Sequence, residues 1–257
     1  MKNLFLFTTS VLCIMAMLLC LKATAQYDEF KDPFEGEMVL VEGGTFTMGC
    51  TDEQGKSCKT IEKPAHEVTV GSFYIAKYEV TMAQWAYVME RTDATILSKW
   101  GDYPATGMTW KYANDFIDTL RYYTGKKYRL PTEAEWEFAA RGGNLSRGYK
   151  YAGSDKVIEV AHCTAQRTER VGQYKPNELG LYDMSGNVWE WCSDWYDYYD
   201  EHPQINPQGP DTGVLHVFRG GGWDDDTPSY CRVSCRYDEQ PASSANDRGF
   251  RIVLEVE

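Results

Sequence analysis

The chain has 257 residues, 43% of them hydrophobic and 14% aromatic, enough for one large or two small domains with a substantial core. A formal charge of -12 disfavours nucleic acid and anionic membrane surfaces as partners, and a mean hydropathy of -0.50 excludes a multi-span membrane protein. The histidines His66, His162, His202 and His216 stand far apart, with no H-E-x-x-H and no C-x-x-C pair, so neither a zinc protease site nor a zinc cluster is indicated.

Residues 1–25 read as a secretory signal: Lys2, an apolar run from Leu4 to Leu21, and Ala23-Thr24-Ala25 as a cleavage site. The bulky Leu19 before Cys20 argues against lipoprotein processing. The mature chain is then expected to be exported, periplasmic or extracellular, with no membrane insertion after cleavage. Removing the leader takes away Cys13 and Cys20 and leaves Cys50, Cys58, Cys163, Cys192, Cys231 and Cys235, an even set that suggests disulfides in an oxidising compartment.

Residues 26–37 form a charged lead-in, and residues 38–257 one domain. Met38 to Met48 alternates around Gly43-Gly44 and predicts a hairpin. Cys50 and Cys58 close a polar loop directly after it, which predicts a local bridge. Strand character returns from Val68 to Val80. Thr81 to Gln84 is a capping box that starts a helix through about Arg91. Thr109 caps a second helix, with Trp110, Ala113, Phe116, Ile117 and Leu120 at core spacing and Gly125 as its stop. Thr132 to Glu135 is another capping box, for a helix ending at Gly142-Gly143. Glu135 and Glu137 diverge on that helix, which makes them structural rather than a catalytic pair. After Gly153 the helical period disappears. The fold class expected is a single α+β domain with much irregular structure.

The densest patch is Asn177 to Trp195, NELGLYDMSGNVWEWCSDW, where Gly180, Gly186 and Asn187 stand among Asp183, Glu190, Asp194 and three tryptophans. Glycines turn such a loop and tryptophans hold it rigid. Calcium takes oxygens from carboxylates and backbone carbonyls, so Asp183 and Glu190 with the carbonyls of Gly186 and Val188 are candidate ligands. The alternative is that both acids cap or hydrogen-bond the turn without any metal.

GLYDMSGNVWEWCSDW, together with YRLPTEAEWEFAARGG and GFRIV, resembles the formylglycine-generating enzyme family, the sulfatase-modifying factors, in order and from about Met38 to Val256. The resemblance implies a compact fold related to the C-type lectin type, and a structural calcium on Asp183, Gly186, Val188 and Glu190. It also implies copper(I) on two cysteine thiolates, used with dioxygen to oxidise a sulfatase cysteine to formylglycine. Soft thiolates suit copper(I).

The family's Gly-Gly-Ser-aromatic turn matches Gly220-Gly221-Gly222-Trp223, with Gly222 in place of serine, and counting on from it puts the first copper cysteine at Asp225. The second follows Ser-Tyr in the family, as Cys231 follows Ser229-Tyr230, whereas counting back from Gly249-Phe250-Arg251 matches no cysteine. Cys231 and Cys235 are the substitute catalytic pair, but Arg232 to Ser234 reads as a strand, which would separate them by about 13 Å. Two thiolates on one copper lie within about 5 Å of each other. Family similarity implies bridges from Cys192 to Cys231 and, by remainder, from Cys163 to Cys235. Exchange of partners, Cys163 with Cys231, is the alternative. The sequence thus suggests a calcium-stabilised binding or assembly module for a protein, peptide or glycan, with Trp223 and Asp225 at the ligand surface. The rival reading is a copper oxidase.

Overall fold

The computed structural model describes residues 30–89 and 98–256, and the body that carries the fold begins at Pro33. The leader expected at residues 1–25 lies outside the described residues. The first two strands, β1 (Met38–Val41) and β2 (Gly44–Met48), do not form the expected hairpin with each other. β2 pairs with β3 (His66–Val70), while β1 pairs with β4 (Phe73–Ala76). The Gly43-Gly44 pair serves this parting of the chain. A Cβ on Gly43 would stand 2.7 Å from Val70 O, and the Gly43 amide donates to Ser72 Oγ at 2.9 Å, so the glycine lies against the β3–β4 turn. Periodicity read the two strands correctly, but their partners are set by a close approach that only the fold reveals.

The predicted caps form as expected. Thr81 accepts from Gln84 N to open α1 (Met82–Val88), Thr109 opens α2 (Trp110–Thr124), and Thr132 opens α3 (Glu133–Ala140). Gly125 ends α2 in the left-handed region at φ 69°. The expected last residues of α1 lie outside the described residues. Between α2 and α3 runs β5 (Tyr128–Arg129), and α4 (Val157–Val160) is a single short turn. Then follow β6 (Trp189–Trp195), β7 (Gln204–Ile205), β8 (His216–Arg219), β9 (Arg236–Glu239), β10 (Arg248–Gly249) and β11 (Val253–Glu255).

These strands make two four-stranded sheets, ordered β1-β4-β11-β5 and β10-β6-β8-β9, and a three-stranded sheet, β2-β3-β7. Helix α3 packs against β2, β3, β6 and β8, so its Trp136, Phe138, Ala139 and Ala140 share one core with Val41, Val68, Ile75, Cys192, Val217 and Val253. Each fully buried aliphatic or aromatic side chain there contributes about 1.5–3 kcal/mol.

Four arginines are buried with that core: Arg219, Arg232, Arg236 and Arg251. Each meets a buried glutamate. Arg236 pairs with Glu133 at 2.6 Å, Arg232 with Glu62 at 2.6 Å and Arg251 with Glu190 at 2.7 Å, and Arg219 bonds Glu137 directly. Glu137 also accepts from Arg141 at 2.8 Å, and Glu135 pairs with Arg129 at 2.7 Å. Both are structural acids, as their spacing on α3 implied.

The expected bridge between Cys50 and Cys58 is present, with Cα atoms 6.0 Å apart. The bridges expected from Cys192 to Cys231 and from Cys163 to Cys235 are not formed; all four of these cysteines are free. The strand expected over Arg232 to Ser234 is also absent. Cys231 ends a 3-10 turn, Pro228–Cys231, and a second turn closes where Cys235 N donates to Arg232 O at 3.0 Å. The reason is local: Arg232 turns inward to Glu62 and to Ser57 O at 3.1 Å, which a regular strand register would not allow.

Candidate functional site

The 183–190 loop is pinned from several sides. Gly186 has φ 85°, and a Cβ there would stand 2.5 Å from His162 O, so only glycine fits. Asn187 N donates to His162 O at 2.7 Å, Gly186 N to Gly220 O at 2.8 Å, and Trp223 N to Asn187 O at 2.8 Å. One loop thereby positions the 162–163 segment, the Gly220 to Gly222 turn and Trp223.

Inside this loop three buried carboxylates gather. Asp183 has φ 58° and accepts from Gly172 N at 2.7 Å; burial, first of its causes, pushes its carboxyl up to about 6. Glu79, which sequence reasoning missed, accepts from Asn187 Nδ2 at 2.6 Å and from Val188 N at 3.1 Å. Burial, then Asp183 and Glu190, raise it well above the carboxylate range. Glu190 accepts from Arg251 Nη2 at 2.7 Å and from Trp136 Nε1 at 2.7 Å. Glu79, Asp183 and Glu190 therefore face one guanidinium, Arg251. This is where the resemblance implies a calcium. Glu190 does not fit as its ligand, because both of its oxygens are already engaged by Arg251 and Trp136. Among the described residues no three His, Cys, Asp or Glu side chains converge in a metal-holding group, so a cation here depends on Asp183 and backbone carbonyls.

At the copper positions of the family, Asp225 accepts from Gly222 N at 2.7 Å, and burial raises its carboxyl to about 6. A Cβ on Gly222 would stand 2.9 Å from Trp189 Cδ1 and 3.2 Å from Asp247 Cβ. The serine of the family turn would thus crowd Trp189, which accounts for Gly222. Trp223 Nε1 donates to Asn246 O at 3.2 Å, and Asp224 and Asp226 on either side of Asp225 are exposed.

The cysteines are not joined as the sequence suggested. Cys231 and Cys163 lie in one cluster, packed with Tyr151, Val160 and Ala161. Cys235 is buried elsewhere, beside Glu62, and burial pushes its thiol up to about 12. A separate cleft of about 380 Å³, lined by Glu133, Asp194, Trp195, Asp197, Tyr199 and Arg236 among others, contains none of the candidate residues Asp183, Gly186, Val188, Glu190, Trp223, Asp225, Cys231 and Cys235.

This is a single mixed helix and sheet domain that shares its architecture with solved proteins. One is a Treponema denticola variable protein, with TM-score 0.74 at 26% identity over 85% of this chain and 95% of that one. The family model for a sulfatase-modifying factor enzyme 1-like domain matches residues 24–256, and the chain belongs to that family. A formylglycine-generating enzyme of Streptomyces coelicolor is 31% identical over 284 residues, 85% of this chain and 89% of its own length. A serine/threonine-protein kinase, pkn1, of Chlamydia pneumoniae is 35% identical over 253 residues, 87% of this chain, and the chain spans only 39% of that relative's length.

Proposed function

We propose that this protein is a calcium-stabilised binding module of the sulfatase-modifying factor family, exported and without the family's copper chemistry. The observation that carries the reading is the pair Asp225 and Cys231. Asp225 holds the Gly222 amide where a copper cysteine belongs, and Cys231 is buried in a cluster with Tyr151, Val160 and Ala161 against which Cys163 packs. A carboxylate is a hard ligand and a poor substitute for a thiolate toward copper(I). Calcium would be held by Asp183 and by the carbonyls of Gly186 and Val188, while Glu190 remains with Arg251. When bound, calcium supplies positive charge against the surplus carboxylates.

The ligand surface is Trp223 with Asp224 and Asp226. An aromatic ring beside exposed acids suits a basic peptide, through cation–π and ion-pair contacts. Calorimetric titration with an oligolysine peptide should give saturable binding that weakens with added salt and with Asp224→Asn or Asp226→Asn. A neutral peptide of equal length should not bind. No heat from the lysine peptide at low salt, or binding unaffected by both substitutions, would contradict the proposal.

A further inference from the structure

Cys163 and Cys231 are far apart in sequence, yet they pack in one cluster with Tyr151, Val160 and Ala161, on backbone that is fixed on both sides. The Cys163 segment is held by Asn187 N on His162 O at 2.7 Å and by Ala165 N on Trp223 O at 2.7 Å. Cys231 is held by Ser185 Oγ donating to its carbonyl at 2.8 Å, and Gly221 leaves room for its sulfur, since a Cβ there would stand 2.9 Å from Cys231 Sγ. Cys231 is fully buried and Cys163 half-buried, so an incoming reagent meets Cys163 alone.

We propose that Cys163 and Cys231 form a reversible thiol–disulfide exchange site, with Cys163 as the attacking thiol and Cys231 as the resolving one, and with disulfides as the substrate class. Their electrostatics agree with this division of labour. The neighbouring Cys231 thiol, the largest cause, lowers Cys163 from its usual 9.0, while Cys163 and then burial raise Cys231 well above it. The thiolate is the nucleophile, and it resides on the accessible partner.

The Cys163 thiolate attacks one sulfur of an incoming disulfide, forming a mixed disulfide and expelling the other sulfur as a thiolate. Cys231, losing its proton, then attacks Cys163 Sγ, closes the internal disulfide and expels the second thiolate. The two cysteines lose two electrons in total, the incoming disulfide gains them, and the cysteine protons end on the two released thiols.

The test begins with folded mature protein that keeps its Cys50–Cys58 bridge, exposed to oxidised glutathione and followed by alkylation and peptide mapping. Two of the four free thiols should disappear, in one bridge linking Cys163 to Cys231. Cys231→Ser should trap a single glutathione on Cys163, and Cys163→Ser should take up none at Cys231. In the wild type, the bridged fraction should follow the ratio of reduced to oxidised glutathione. Should Cys231→Ser fail to fold, Cys163→Ser and the wild-type map still decide the matter. Retention of all four thiols, a bridge to Cys192 or Cys235, an adduct on Cys231, or a bridge that persists under excess reduced glutathione would each overturn the proposal.

Discussion

Two charged regions lie within this one domain and are built on opposite principles. Around α3 each buried glutamate has its arginine: Glu133 with Arg236, Glu137 with Arg219, and Glu62 with Arg232. Around the 183–225 loops the acids outnumber the cations: Glu79 and Asp183 share Arg251 with Glu190, and Asp225 has a backbone amide as its donor. Titration follows the difference. Burial raises Glu62 and Glu133, but the arginine hydrogen bonds and charges overcome it, so both end below 4.5. Asp183 and Asp225 lack such compensation and rise to about 6. Matched charge specifies structure, and unmatched charge marks the region where a cation or a ligand can be taken up.

The strongest way to break the comparison is to unbalance the matched region. Arg219→Met leaves Glu137 with Arg141 alone and Glu133 with Arg236 alone, and denaturant unfolding should show a loss of about 3 kcal/mol. A loss below 1 kcal/mol would mean that the matched pairs are not what holds α3 to β8.

The unmatched region should respond to calcium instead. At a free calcium concentration 100 times its dissociation constant, the folded state should gain about 2.7 kcal/mol, seen as a rise in Tm over the chelated protein. Asp183→Asn should remove that gain. Glu190→Gln should lower Tm equally with and without calcium, because it acts through Arg251; a loss of the calcium response alone would put Glu190 back among the ligands.

The smallest effect is in the pH profile. Glu62 and Glu133, depressed in the fold, contribute stability that is present above 4.5 and is lost as pH falls through their folded values. Asp183 and Asp225, raised from 3.8, contribute stability that is full below 3.8 and is lost as pH rises through about 6. Asp225→Asn should therefore flatten the decline in unfolding free energy between those two pH values and leave the acid limb unchanged. An unaltered decline would show that Asp225 titrates normally.

Much of this was legible in the sequence. Thr81, Thr109 and Thr132 announced their helices, because a cap is a local interaction, and Cys50 and Cys58 announced their bridge across a short loop. The family strings located the 183–190 loop and the departure at Asp225. Pairing between distant segments was not legible. Nothing in Met38 to Met48 shows that its two strands enter different sheets, and nothing near Glu79 shows that it meets the Asn187 side chain. The family pattern leaves Cys163 to Cys235 by remainder, whereas the fold packs it in one cluster with Cys231. The buried arginines did leave a trace: Arg219, Arg232 and Arg251 each interrupt an apolar run, in HVFR, CRV and GFRIV. A charge in that position either breaks the strand or carries its partner inside.

The central claim, that this family member does not perform the oxidation, is tested most directly by mass spectrometry of a cysteine-containing sulfatase-motif peptide incubated with the folded protein, copper(I), reductant and dioxygen. The account predicts that the peptide thiol is recovered unchanged, with Asp225→Cys as the variant that restores the family's first copper position. Loss of the thiol and appearance of an aldehyde with the wild-type protein would contradict it and return Cys231 to catalysis.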